Sequence, residues 1–133
     1  MEKIRETILT GACQDEEALS VIGYGWDNAR YLLDPHTAAA WKVKEDLRAL
    51  DKLDGVNVVL STASPFKFPG AIAKALSLSV PDDVEAAETL SSLLGLDLPD
   101  NLRGLKDKPV LHQDVISPED MLAYVQQQAE QPW

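Results

Sequence analysis

Apolar side chains recur every three or four positions along most of the chain, and two short uninterrupted apolar blocks break that rhythm. Residues 15–29, DEEALSVIGYGWDNA, place Leu19, Ile22 and Trp26 near one helical face behind three acids that suit a helix N-terminus. Gly23 and Gly25 weaken that helix. Tyr31, Leu32 and Leu33 are too few for a helix and read as a short strand. Asp34 and Pro35 then supply an N-cap and a first helical residue. The helix they open should run from about Pro35 to Leu50, with Ala40, Val43, Leu47 and Leu50 on one side.

Asp54 and Gly55 make a turn, and VNVVL at 56–60 has the β-branched, nearly continuous apolarity of an interior parallel strand. Together these pieces predict one right-handed βαβ unit. Ser64 and Pro65 form a second cap signature, leading a helix that uses Ile72, Ala73 and Leu76 and ends before Pro81. Residues 82–95 repeat the device: Asp82 and Asp83 open, Val84, Ala87, Leu90 and Leu94 share a face, and Gly95 closes. Residues 96–113, with Pro99, Gly104 and Pro109, read as irregular. Ser117, Pro118, Glu119 and Asp120 cap a C-terminal helix that packs Met121, Val125, Leu122 and Ala129. The expected fold class is α/β, helix-rich, with a small parallel sheet.

At 133 residues and 45% hydrophobic, the chain is sized for one domain over 1–133. Twelve Lys and Arg against 22 Asp and Glu leave a formal charge of -10, which argues against nucleic acid and anionic membrane surfaces as partners. Cys13 is the only cysteine; with His36 and His112 scattered, no disulfide or metal site is expected. MEKIRETILTG alternates charged and apolar residues without the long apolar run of a signal peptide or spanning helix, so a cytoplasmic protein is expected. Trp26, Trp41 and Trp133 read as packing residues.

In an open α/β sheet, ligands bind outside the carboxyl ends of the strands. Both expected strands end in polar chemistry there: Asp34, Pro35, His36 and Thr37 after the first, and Ser61, Thr62, Ala63 and Ser64 after the second. Taken singly, Asp34, Pro35 and Ser64 are ordinary helix caps. Taken together, YLLDPHTAAAW and VVLSTASPFKFPGAI resemble the C-terminal part of threonine synthase, whose bacterial and fungal branch reads DPHTA and then TAHPAKFP. The first motif is intact in Asp34, Pro35, His36, Thr37 and Ala38. The second keeps Thr62, Ala63, Pro65, Lys67, Phe68 and Pro69, with Ser64 where the family usually has His and Phe66 where it usually has Ala. The resemblance is specific over residues 15–76, and DPHTA with KFP argues against a serine or threonine dehydratase of the same fold type.

The resemblance implies a pyridoxal-phosphate enzyme of the tryptophan synthase β-like fold type that converts O-phosphohomoserine and water to threonine and phosphate, a carbon–oxygen lyase. It also implies that the Schiff-base lysine and the cofactor-phosphate loop belong to earlier parts of a much longer chain. This segment therefore reads as a C-terminal fragment, inactive alone, which needs the N-terminal part of the enzyme. On the same grounds Thr62 offers a hydroxyl to the pyridine nitrogen and Ser64 serves as cap and pocket wall. Lys67 either balances negative charge near the pocket or is a solvated helix-start lysine. His36 orients a pocket group or supports the neighbouring strand end. The competing reading is a free-standing, non-catalytic relative used for interaction or small-ligand binding. Either way, an exposed sheet edge would favour self-association.

Overall fold

The computed structural model describes residues 7–130. Trp133 and the first six residues of the MEKIRETILTG stretch lie outside that range. Helix α1, Asp15–Ala29, opens with a reciprocal cap: the Gln14 side chain receives a backbone N–H from the first turn, and the Gln14 N–H donates to Glu17 Oε2 at 2.8 Å. It closes at Arg30, in the left-handed conformation with φ 50°, whose N–H returns to the last carbonyls.

The two glycines that weaken α1 as a helix are where other parts of the chain come closest. A Cβ on Gly25 would sit 3.2 Å from both Leu33 Cδ1 and the Tyr31 carbonyl, and one on Gly23 would sit 3.4 Å from the Ala75 carbonyl. Helix propensity is thus traded for close packing of the 31–33 segment and of the next helical layer.

Helix α2, Pro35–Ala49, packs along α1. A 3-10 turn at Pro65–Lys67 leads into α3, Pro69–Ala75, which packs on both α1 and α4, Ala86–Leu94. Gly95, at φ 65°, ends α4. The core draws Ile22 from α1, Leu33, Ala38 from α2, Phe66, Ile72 from α3, Ala87 and Leu90 from α4, and Leu98 from the irregular stretch beyond. Residues 96–113 hold two further 3-10 turns, Asp100–Leu102 and Leu105–Asp107.

The expected parallel sheet is absent: no strand forms among the described residues, so the right-handed βαβ unit is overturned. The 31–33 block is committed to α1, since the Tyr31 N–H bonds the Gly25 carbonyl at 3.3 Å and Leu33 packs beside Gly25. The 56–60 block pairs with no neighbour among the described residues, and an open groove separates it from α2. Val56 is 96% and Val58 82% exposed. A parallel strand is stable when flanked on both edges and covered on both faces, and two blocks of three and five residues cannot provide this for each other.

Two smaller expectations also change. The Asp83 carboxylate holds the Glu85 N–H at 2.7 Å in a turn, so α4 begins only at Ala86 and Val84 points to solvent. Met121, Leu122, Val125 and Ala129 of α5, Met121–Ala129, do not pack into the core but remain exposed. No described helix is long and apolar enough to cross a membrane.

Ile22 has no exposed surface and lies where α1 meets the rest of the core. Ile22→Ala should lower stability by about 2–4 kcal/mol in urea unfolding; a loss below about 1 kcal/mol would mean that this core is not the one that holds the helices together.

Candidate functional site

Asp34 organises the start of α2. Its side chain is 1% exposed, and its Oδ1 accepts the His36 N–H at 3.0 Å and the Thr37 N–H at 3.3 Å. The Thr37 hydroxyl donates to Asp34 Oδ2. Two otherwise orphaned helix-end donors and one buried hydroxyl are thereby satisfied by one carboxylate. Burial acts to raise the Asp34 pKa, but the hydrogen bonds from Thr37 and His36 outweigh it, and the pKa lies below the usual aspartate value.

Thr37 also connects this helix start to the second motif, sharing a hydrogen bond with Ser61 Oγ at 3.4 Å. The two polar clusters expected to lie side by side do meet, through hydroxyls rather than along a sheet edge. Immediately after Ser61, Thr62 is exposed, and its hydroxyl has no hydrogen-bond partner among the described residues. Ser64 Oγ accepts the Phe66 N–H at 3.3 Å and caps the Pro65–Lys67 turn. Phe66, where the threonine synthase family usually has Ala, is buried in the core, so that departure fills packing space.

His36 and Lys67 meet on one aromatic ring. The His36 imidazole tilts against Phe68 with centroids 5.0 Å apart, and the Lys67 ammonium lies 5.9 Å from the same ring. His36 Nδ1 is also 3.4 Å from Asp34 Oδ1, although the imidazole is largely exposed. No hydrogen bond joins Thr62 to His36 or Lys67. Phe68 was not singled out from the sequence as a member of this cluster, although it stands inside the KFP motif beside Lys67. The complete burial of Asp34 was equally invisible there, because a solvated cap and a buried cap have the same local spelling.

Comparison with known proteins places this chain in a family. Residues 37–126 match the family described as "Threonine synthase, C-terminal", which extends well past the region where the two motifs carry the resemblance. The chain is 36% identical over 116 residues to "Threonine synthase-like 1" of Macaca fascicularis and 35% identical over 116 residues to that of Homo sapiens. Each alignment covers 87% of this chain and 14% of the relative. It is also 34% identical over 80 residues to "Threonine synthase" of Schizosaccharomyces pombe, covering 58% of this chain and 15% of that protein. The chain belongs to the threonine synthase family, in its C-terminal region. It spans about one-seventh of the length of the mammalian relatives it matches.

Because its folded pKa is depressed, the contribution of Asp34 is fully present above the unfolded value of about 3.9 and is lost as pH falls through the lower folded value. Asp34→Ala should cost about 1–3 kcal/mol near neutral pH, through lost capping and a buried Thr37 hydroxyl left without its acceptor. Chemical unfolding from pH 7 down to 2 should show an acid loss in the unsubstituted chain that is smaller in Asp34→Asn; identical profiles would remove Asp34 from this role.

Proposed function

We propose that this chain provides the C-terminal part of a threonine synthase, and that it acts on O-phosphohomoserine together with a lysine-bearing N-terminal part of the enzyme. The observation that carries the reading is the Thr62 hydroxyl, exposed and unpartnered, one residue beyond Ser61. Ser61 is tied through Thr37 to the buried Asp34 carboxylate. Family membership supplies the context in which such a hydroxyl has a use.

These residues fit one edge of pyridoxal phosphate, the side of the pyridine nitrogen. When bound, that cofactor supplies the electron sink for losing phosphate and adding water to form threonine. Thr62 would donate its hydroxyl hydrogen to the ring nitrogen, leaving that nitrogen less positive than a carboxylate partner would. Ser64 keeps the loop turned through its bond to the Phe66 N–H and presents its Oγ as pocket wall. Lys67, beside the Phe68 ring, would balance negative charge near the pocket. His36, held between Phe68 and Asp34, would orient a pocket group. We place the assembled enzyme in the cytoplasm, with neither nucleic acid nor membrane as partner, in keeping with the charge of -10.

A free-standing relative used for interaction is the second reading. It is favoured by the exposed apolar side chains of Val56, Val58 and Leu60.

The two readings separate when the full chain is added to a threonine synthase body that carries its Schiff-base lysine but lacks its C-terminal region. We expect phosphate release from O-phosphohomoserine only in the mixture, and a fall of about tenfold with Thr62→Val. Phosphate release by the chain alone would overturn the need for a second part. Pyridoxal phosphate is not expected to bind the chain alone, so the deciding result is the mixture: no phosphate release there from a folded chain would favour the interaction domain.

A further inference from the structure

Few hydrogen bonds hold residues 53–63 to the rest of the chain. Among the described residues the segment has one internal bond, from Asn57 Nδ2 to the Asp54 carbonyl at 3.1 Å, and one that leaves it, between Ser61 and Thr37. The Thr37–Ser61 pair, 3.4 Å apart, is therefore the hydrogen bond that fixes this segment against α2. Thr62 follows it directly. The next anchor along the chain is the Ser64-capped turn with its buried Phe66.

The direction of each bond follows from what the groups can donate. Thr37 has a single hydroxyl hydrogen. It goes to Asp34 Oδ2, because a bond to a carboxylate outweighs one to a second hydroxyl, and no other hydrogen bond reaches that oxygen among the described residues. Thr37 Oγ1 then faces Ser61 with lone pairs alone, so Ser61 gives its own hydrogen to Thr37. The chain of donors runs from Ser61 to Thr37 to Asp34 and ends on a buried negative charge, each bond polarising the next. Water does not compete at its inner end, where Asp34 is 1% and Thr37 4% exposed. Ser61 itself is exposed, so Thr37, rather than burial, sets how it is turned.

We propose that Thr37 is a positioning residue for the cofactor contact: its hydroxyl, oriented by Asp34, holds Ser61 as an inward donor and so sets where Thr62 presents its free hydroxyl. This rests on the reading of Thr62 as the donor to the ring nitrogen. It adds to that reading a residue that touches neither cofactor nor substrate. It also gives the threonine of the DPHTA motif a use beyond the start of α2, since the same side chain that completes the Asp34 cap reaches the second motif.

Nuclear magnetic relaxation on the full chain without cofactor tests the anchor. The Ser61 and Thr62 amides should be about as rigid as those of α2 in the unsubstituted chain, with order parameters of about 0.85, and should fall below about 0.6 in Ser61→Ala. Thermal unfolding of Ser61→Ala should not change, because every bond to Asp34 is kept. Thr37→Val should loosen the same amides, and Thr37→Ser should restore them. Unchanged amides in Ser61→Ala would overturn the proposal. The mixture with the lysine-bearing body then tests positioning: Ser61→Ala should lower kcat for phosphate release about three- to tenfold with KM unchanged. Added to Thr62→Val it should cost nothing further, since the contact it positions is already gone. Losses that multiply would show that Ser61 and Thr62 act independently and would overturn the positioning role. A mixture that releases no phosphate from a folded chain takes that role down with the lyase reading, whereas loosened amides in the cofactor-free chain would still establish the Thr37–Ser61 anchor.

Discussion

A carboxylate cannot be buried in a small helical domain unless its oxygens are supplied with donors, and Asp34 obtains all of its donors from the first turn of α2. That requirement fixes where α2 begins and how it is oriented. Leu33, the preceding residue, is thereby set into the core beside Gly25 of α1, while Thr37 is turned towards Ser61. One side chain thus joins the α1–α2 layer to the loop that carries the second motif. The N-terminal dipole of α2 adds to the effect, since an ionised carboxylate is favoured there by the exposed ends of the helix N–H groups.

The second motif is held from two directions. Ser61 is bonded to Thr37, and the Ser64-capped turn inserts Phe66 into the core that also holds Ile72 and Leu90. Between these anchors Thr62 is left exposed with its hydroxyl uncommitted. A hydroxyl on a loop pinned at both ends loses little conformational entropy when a ligand atom approaches, which is the arrangement a positioned contact needs. The Ser64 and Phe66 departures from the family pattern are both accommodated in the local structure, one as a cap and one as a core side chain.

The helices around Ile22, Ala38, Ile72 and Leu90 were legible because each carries its own periodicity and its own end signals: Asp34–Pro35, Ser64–Pro65 and Gly95 all stop or start helical structure where their chemistry suggests. The caps were legible for the same reason, as local spelling, whereas the two motifs meet through Thr37 and Ser61, 24 positions apart, and not at the ends of paired strands. The 31–33 and 56–60 blocks were misread because β-branched, apolar composition reports suitability for a sheet, whereas a sheet exists only if a neighbouring strand is present. Val84 and the α5 face were misread because an amphipathic pattern marks a face to be covered without naming the cover.

The order of residues was therefore sufficient to set helix positions, the capping at Asp34 and Ser64, and the family, since all of these depend on interactions within a few positions or on motifs in fixed order. Folding in three dimensions settled the rest: that Asp34 is buried, that His36 and Lys67 share the Phe68 ring, that Gly25 admits Leu33, and that 56–60 and α5 remain uncovered. Each of these outcomes depends on contacts between segments distant in the chain, or on their absence. Such contacts are chosen by the packing of all the helices at once, and no single stretch of sequence encodes them.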